Sequence, residues 1–313
     1  RLVADAPREV IEVPTVPGPV RVVVIGRRDA RLPLLTVHDA GGNYHHSWTR
    51  LQRFSASEAF FERSCWMHVS LPGHAEHTPR VEWGAGDDPA AKTPSLSIEQ
   101  LARVLGEVVD ALGVSTFVGV GAGAGAGILL RLATDRPRAL RGLVLVSPCV
   151  VPASSWERWA LGAAARAVES ARGRGQRAAE DAANALASMQ LSPRFLAANH
   201  SWVTNLAVSL QSMDAHAVAA VLRAAAERDA VDAKRLERIR HVPTLLALGR
   251  GAGAATWYVG AFHRGADADA LRDAIDPAVL NDVMDERHLG NLAGAVEDAE
   301  TMALSLGLFL DSL

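Results

Sequence analysis

Cysteines are scarce in this sequence, aromatic residues are few, and neither sign of charge is in strong excess. Two cysteines, Cys65 and Cys149, are too few for a disulfide framework. Both lie beside apolar runs, so buried reduced thiols in a cytoplasmic protein are expected. The net charge of −3 indicates neither a nucleic-acid-binding surface nor attraction to an anionic membrane. No apolar run approaches the roughly 18 residues of a membrane span, and no secretory signal is visible.

Apolar residues make up 49% of the 313 residues, enough for a large core. In the first half, VIEVPTV and VRVVVIG flank Pro-Gly-Pro and predict an antiparallel hairpin. SIEQLARVLGEVVDAL predicts a helix that opens with a capping box of Ser97 and Gln100. TFVGV and GLVLVSP predict buried strands on either side of a further helix. Strand–helix alternation of this kind indicates an α/β protein with a mostly parallel, doubly wound sheet.

The pattern changes after Pro152. Residues 153–240 are rich in Ala, Arg and Glu and predict helices only. Strand–helix alternation then returns with VPTLLALG. We therefore divide the chain into a first core part (1–152), a helical cap (153–240) and a second core part (241–313). A helical block inserted between two parts of one parallel sheet is the arrangement of an α/β-hydrolase core with its cap.

A glycine-rich turn, FVGVGAGAGAGILLRLATDRP, joins a strand to a helix. Gly121, Gly123 and Ala126 satisfy a loose dinucleotide fingerprint. That fingerprint belongs to the first strand–helix unit of its fold, whereas several strands precede this one. The next strand, GLVLVSP, also ends in Ser-Pro rather than in the acidic residue that binds ribose. The run lacks the Gly-Lys-Ser/Thr of a phosphate loop, so nucleotide binding is the weaker interpretation.

The sharp turn of an α/β-hydrolase explains the run better. In that fold G-x-S-x-G places the nucleophilic serine at the apex between strand and helix. Counting back from Arg131 puts the apex at Gly123, with Gly121 as the alternative. Neither residue has a side chain that can attack a substrate, although the glycine frame is intact.

The other two positions of a catalytic triad are tested in the same way. PTLLALGRGA places Ala252 where the acid belongs, and MDERHLGN places His288 where the histidine belongs. Loss of the nucleophile alone costs on the order of a million-fold in turnover. Without serine and acid, His288 has no triad role, and a solvated loop histidine is the favoured interpretation. The sequence thus predicts a pseudo-hydrolase with no cofactor, in which Gly123, Ala252 and His288 are vestigial positions.

With its apex glycine and its alanine at the acid position, the sequence resembles the N-myc downstream-regulated family of α/β-hydrolase-fold proteins. The resemblance is carried by LLTVHDAGGNYHHSW, by HVSLPGHAEHTP, by the glycine run, by GLVLVSPCVVPASSWERWA and by VPTLLALGRGA, and it covers most of the chain. The Ala-rich cap, about 160–235, and His288 depart from the family pattern. The resemblance implies a non-enzymatic cytoplasmic protein that binds protein partners in signalling, stress response or differentiation.

One ligand hypothesis concerns the loop after PLLTVHD. The hypothesis is that backbone N–H groups there face the start of the helix that follows the glycine run, since such a helix start attracts anions. Glycine at the apex should enlarge this pocket, although neighbouring side chains filling it are the favoured alternative. The candidate anion or small-molecule pocket comprises His38, Asp39, Ala40, Gly41, Gly123 and Ala124.

Histidine pairs raise the possibility of a metal. His45 and His46 are adjacent, and His74 and His77 are spaced for a helix or turn. Structural zinc sites usually need a matching second pair of ligands, whereas these two pairs fall on different loops. We expect solvated loop histidines and no metal.

Two tryptophans, Trp156 and Trp159, lie three residues apart on one face of the first cap helix. Packing between cap and sheet explains them, and a partner-binding surface is the alternative because exposed tryptophans anchor interfaces.

A displaced catalytic group is the competing functional hypothesis. Ser147 or Cys149 would serve as the nucleophile of a hydrolase or lyase, or His288 would serve as its general base.

Overall fold

The computed structural model describes residues 8–54, 63–77, 96–249, 264–285 and 298–313. Within them, eight strands form one sheet in the order β1-β2-β4-β3-β5-β6-β7-β8. The strands are β1 (Arg8–Val13), β2 (Val20–Gly26), β3 (Leu32–Val37), β4 (Ser64–Val69), β5 (Phe117–Ala122), β6 (Leu140–Val146), β7 (Thr244–Gly249) and β8 (Leu280–Asp285).

Strand directions confirm the α/β class and its mostly parallel sheet. β1 pairs antiparallel with β2 through a turn in which the Gly18 N–H donates to the Thr15 carbonyl oxygen, as the Pro-Gly-Pro hairpin predicted. β2 also pairs antiparallel with β4, and every later pairing from β4 to β8 is parallel. The carboxyl ends of β3, β5, β6 and β7 consequently lie along one edge of the sheet.

Helices cover the two faces of this sheet and fill the interval between β6 and β7. They are α1 (Tyr44–Phe54), α2 (Ile98–Leu112), α3 (Ala124–Asp135), α4 (Ser155–Ala171), α5 (Gln176–Gln190), α6 (Pro193–Ala198), α7 (His200–Ser212), α8 (Ala215–Ala226), α9 (Ala233–Glu237), α10 (Arg264–Ala274) and α11 (Ala299–Asp311). Six of them, α4 to α9, fall in the interval predicted to be helical. Their treatment as a cap separate from the core stays a prediction. No helix in the described ranges has the length and apolar character needed to cross a bilayer.

Local sequence signals fix helix α2 at both ends. The Ser97 side chain accepts a hydrogen bond from the Gln100 N–H, and the Gln100 side chain accepts one from the Ser97 N–H, which confirms the capping box. Gly113 ends the helix in the left-handed conformation at φ 67°.

The core lies on both faces of the sheet because the central strands are buried along their whole length. Val118 and Val120 of β5 pack with Trp48 of α1 and Phe309 of α11 on one face. On the other face, the alternating residue Phe117 packs with helices α2 and α3. This two-sided burial explains why TFVGV and GLVLV read as continuous apolar runs.

Helix α1 was not predicted, since Tyr-His-His-Ser-Trp contains no strong helix former. Asn43 starts it: its side-chain oxygen accepts hydrogen bonds from the backbone N–H groups of His45 and His46. An asparagine cap, together with burial of Trp48 and Leu51, stabilises a helix whose propensity is modest.

Candidate functional site

Three loops meet where the carboxyl ends of neighbouring strands come together. Asp39 follows β3, Gly123 follows β5 and Ser147 follows β6. In open α/β sheets, ligands bind in the crevice outside these strand ends. The candidate site is therefore built from these three positions and from the helices that cover them.

Gly123 forms the turn between β5 and α3. Its φ of 53° and ψ of −121° lie outside the regions that L-residues favour, and its N–H donates to the Val146 carbonyl oxygen at 2.9 Å. The flanking glycines allow close backbone contact. A Cβ on Gly121 would lie 2.5 Å from the Ala126 Cα, and one on Gly125 would lie 2.2 Å from the His38 carbonyl oxygen. The alternating glycines are thus required by the packing of this turn.

The carboxylate of Asp39 fills the space beside Gly123. A Cβ built on Gly123 would lie 2.2 Å from Asp39 Oδ1. The same oxygen accepts hydrogen bonds from the N–H groups of Ala40 at 2.8 Å and Ala124 at 2.9 Å. In an active α/β-hydrolase, the N–H after the nucleophile and one from the loop after the third strand form the oxyanion hole. Here both equivalent donors are engaged by a side chain of the protein itself.

This arrangement bears directly on the anion hypothesis. The amides of Ala40, after β3, and of Ala124, at the start of α3, already hold the Asp39 carboxylate, so an added anion has to displace it. The Asp39 carboxylate takes up the space beside the glycine apex, and ligand binding in this pocket stays a prediction. His38 and Gly41 are engaged elsewhere: His38 Nδ1 bonds the Asp39 carbonyl oxygen at 2.8 Å, and the Gly41 N–H donates to His74 Nε2 at 3.3 Å.

Gln190, at the end of α5, connects the helices after β6 to this turn. Its side-chain Nε2 donates to Asp39 Oδ2 at 3.1 Å and to the Ala40 carbonyl oxygen at 2.8 Å. Burial raises the pKa of Asp39 to about 6, although the hydrogen bonds from Ala124, Ala40 and Gln190 oppose that shift. At neutral pH the group is therefore a buried carboxylate with three donors.

A cavity of about 60 Å³ lies between the strand ends and the covering helices. Its wall combines apolar side chains with several polar and charged groups, namely Asp39, Ser147, Cys149, Glu157, Gln190, Arg228 and Asp267.

Ser147 is the most strained of these residues. It has a φ of 44°, its side chain is buried, and its Oγ has no hydrogen-bond partner within the described residues. Cys149 is a poor nucleophile because burial raises the pKa of its thiol far above the usual value and keeps it protonated.

Among the described wall residues, acidic side chains outnumber basic ones. Arg228 and Glu157 form a buried ion pair at 2.9 Å. Asp267, from α10, accepts hydrogen bonds at Oδ1 from the N–H groups of Val150 at 2.6 Å and Val151 at 2.7 Å. Burial raises the pKa of Asp267 to about 6. With Glu157 balanced by Arg228, the carboxylates of Asp39 and Asp267 leave a net negative charge at neutral pH.

Nothing in the sequence pattern indicated Gln190, Glu157, Arg228 or Asp267 as site residues. Gln190 and Glu157 lie in Ala-rich helices, Arg228 follows α8 and Asp267 lies in α10, and no local motif marks any of them. The signal that brings them to the cavity is tertiary, since the hydrogen bond from Gln190 to Asp39 joins residues 151 positions apart.

The histidines differ from expectation. His46 and His74 are buried rather than solvated, whereas His45 and His77 are exposed. His46 lies on the inner face of α1 and bonds the Asn43 side-chain oxygen at 2.7 Å. Burial lowers the pKa of His46 and His74 to about 4, so both are neutral. Among the described residues, no group of three or more potential ligands is placed to hold a metal ion.

The two tryptophans stack on each other, with ring centroids 4.6 Å apart. Trp156 is half-buried and Trp159 is 53% exposed. Neither belongs to the buried core, so the pair presents an aromatic surface near the start of α4. Ala252 and His288 lie outside the described residues.

Similarity to known proteins follows from both sequence and fold. The sequence profile described as the Ndr family matches residues 10–263. The chain is 36% identical over 152 residues to Protein NDRG1-A of Xenopus laevis, covering 48% of this chain and 36% of that protein. It is 36% identical over 145 residues to Protein NDRG2 of Homo sapiens, covering 46% and 36%. The matched region thus spans little more than a third of the length of these relatives.

Solved structures show the same fold at low identity. An esterase from Thermogutta terrifontis superposes with a TM-score of 0.69 at 19% identity, covering 98% of this chain and 99% of that one. A hydrolase from Pseudomonas aeruginosa PA01 gives a TM-score of 0.71 at 17% identity, covering 96% and 98%. The fold is that of the α/β hydrolases.

Proposed function

The chain belongs to the Ndr family, and from that premise we propose that it is a non-catalytic binding or adaptor protein rather than a hydrolase. The proposal rests above all on Asp39. Its carboxylate sits against Gly123 and accepts hydrogen bonds from both amides that would stabilise a developing oxyanion. A site already holding a negative charge cannot stabilise a second one in the same place.

Within this proposal, the protein acts by binding protein partners in signalling, stress response or differentiation, and it does so in the cytoplasm. The family resemblance supports those roles. The stacked pair of Trp156 and Trp159 supports partner binding, because a half-exposed tryptophan supplies a large rigid contact area.

Ester turnover tests the absence of catalysis. We expect purified protein to give no hydrolysis of p-nitrophenyl esters above the buffer rate and no labelling by a fluorophosphonate. Turnover that is lost in Asp39→Asn or Ser147→Ala, with the fold retained, would contradict the proposal.

Partner binding is tested by quantitative capture of tagged protein from cells. We expect Trp159→Ala to reduce the recovery of specific partners, whereas Val208→Ala, at another exposed apolar position in α7, should not. Equal recovery with both variants would rule out the tryptophan pair as the binding surface.

A second function, that of a hydrolase or lyase with a displaced nucleophile, has one observation in its favour. Ser147 carries a buried, unpartnered hydroxyl at a strained backbone position beside the cavity. Against it, no neutral histidine nitrogen within the described residues accepts a hydrogen bond from that hydroxyl, so these residues supply no activating base. Fluorophosphonate labelling of Ser147 would favour this alternative.

A further inference from the structure

Ser147 lines the cavity, and its hydroxyl has no hydrogen-bond partner among the described residues. Its backbone N–H donates to the Ala247 carbonyl oxygen at 2.9 Å, which fixes the residue at the end of β6. Its side chain is 9% exposed, and its Oγ makes no hydrogen bond with any described residue. A buried hydroxyl without a partner costs about 1–3 kcal/mol. A hydrogen-bond donor in the cavity would recover that cost.

The charge of the cavity determines which donor fits. Arg228 is the only cation among the described wall residues, and Glu157 neutralises it. Asp267 receives both of its backbone hydrogen bonds at Oδ1 and accepts none at Oδ2 from the rest of the described chain. Together with Asp39, it makes the cavity attractive to a cation. An anion is disfavoured, since it would meet two carboxylates before reaching a free amide.

The size of the cavity limits the ligand. Its 60 Å³ has room for a few water molecules at roughly 10–15 Å³ of cavity volume each. A group of two non-hydrogen atoms therefore fits. Apolar side chains such as Leu186 and Leu222 form part of the wall, next to which a methyl or methylene group is favoured over a second water.

We propose that this cavity binds a small primary ammonium group, with Ser147 Oγ, Asp39 and Asp267 as acceptors for its N–H donors. The inference rests on the proposed non-catalytic function, because the pocket then holds its ligand unchanged. It replaces the anion expected from the helix terminus with a cation, and it names acceptors that lie on three separate segments of the chain.

Titration with methylammonium chloride tests the proposal. Binding to the full chain is measured at pH 7.5 by isothermal calorimetry and by the shift in Tm. Tetramethylammonium chloride and sodium acetate at equal ionic strength serve as controls. We expect saturable binding of methylammonium and no saturable response to either control salt.

Three variants locate the binding site. Ser147→Ala removes one acceptor. Asp267→Asn removes a charge while its remaining oxygen still accepts both backbone hydrogen bonds. Each should weaken methylammonium binding at least fivefold. Asp269→Asn, at an exposed position two residues further along α10, should bind as the wild type does. If Ser147→Ala does not fold, Asp267→Asn carries the comparison.

Acidification supplies an independent readout. Asp39 and Asp267 both take up protons near pH 6, so methylammonium affinity should fall between pH 7.5 and pH 5. Equal responses to all three salts, or equal affinities in Asp267→Asn and Asp269→Asn, would overturn the proposal. Ordered water would then occupy the cavity. Ester turnover is measured separately, so failure of the ligand and failure of the non-catalytic function give different results.

Discussion

Oδ1 of Asp39 lies 2.2 Å from the point where a side chain on Gly123 would begin. Gly123→Ala must therefore move the carboxylate or the turn, and it must also hold a non-glycine residue at a φ of 53°. Overlap in a packed interior costs about 1–3 kcal/mol, and the left-handed backbone adds about 1–2 kcal/mol. We expect a loss of roughly 3 kcal/mol in the free energy of unfolding, measured by urea denaturation.

Gly173 supplies the matched control for that substitution. Its φ is 70°, and a Cβ there meets nothing within 4 Å, so Gly173→Ala isolates the backbone cost. We expect a loss of about 1 kcal/mol. Adding Asp39→Ala to Gly123→Ala should recover part of the larger loss. Additivity of these two substitutions would show that the carboxylate does not occupy the apex.

Burial of the Arg228–Glu157 pair predicts an unusually large effect of breaking it. Their side chains are 1% and 8% exposed. Glu157→Ala leaves the Arg228 charge buried without its counter-ion, which should cost about 3–5 kcal/mol. The comparable pair of Arg223 and Glu169 is 32% and 22% exposed, so Glu169→Ala should cost about 1 kcal/mol or less. Thermal and urea unfolding of both variants measures the contrast, and equal losses would contradict it.

Buried neutral histidines predict sensitivity to acid. Burial lowers the pKa of His46 and His74 to about 4 and that of His68 to about 3, while the unfolded value is close to 6.5. Below pH 6.5 the unfolded chain binds more protons, so the stability present above that pH is lost as the pH falls. At pH 5 each such histidine removes about 2 kcal/mol relative to pH 7.

Two buried carboxyl groups, Asp39 and Asp267, change the stability in the opposite direction as the pH falls. The pKa values of Asp39 and Asp267 are raised to about 6, so their contribution to stability rises as the pH falls from above 6 towards 3.8. Each recovers only about 1 kcal/mol by pH 5. We therefore expect a net fall in the free energy of unfolding between pH 7 and pH 5.

The acid response is measured by urea denaturation across that range. His46→Gln should reduce the slope of stability against pH by part of one proton, because it removes one neutral histidine. His200→Gln changes an exposed side chain and should keep the wild-type slope. Stability that is constant or rises on acidification would refute the buried neutral state of these histidines.

The hydrogen bonds of Gln190 hold the end of α5 against the loop beside the glycine turn. Gln190→Ala removes the donor shared by Asp39 Oδ2 and the Ala40 carbonyl oxygen. We expect faster hydrogen exchange at the end of α5 and a loss of about 1–2 kcal/mol. Gln176→Ala, at the exposed start of the same helix, should leave exchange at the far end unchanged. Equal exchange in both variants would show that Gln190 does not hold α5 in place.

Local sequence patterns predicted much of the fold because turns, helix caps and apolar periodicity depend on interactions between residues close in sequence. The alternation of strands and helices, the hairpin around Gly18 and the capping box of Ser97 and Gln100 depend on nearest neighbours and on periodicity. The apex at Gly123 was also accessible, since only glycines permit the backbone contacts of that turn.

The side-chain contacts within the site were harder to predict from the sequence. Asp39 was placed near the turn, but as part of a loop for an external anion. That its own carboxylate caps α3 depends on a contact between residues 85 positions apart. His74 was taken to be solvated because no local pattern distinguishes a loop histidine from one packed against the ring of His38, 5.1 Å away. Such contacts follow from the assembled sheet and not from any short segment.

Occupation of the glycine turn by Asp39 also constrains how a serine could be placed at its apex. Gly123→Ser alone forces its Cβ against the Asp39 carboxylate, and Asp39→Gly alone frees the two amides but leaves glycine at the apex. Neither substitution alone gives a serine beside free amides. A serine at the apex beside two free amides therefore requires both substitutions together, at strand ends that lie side by side.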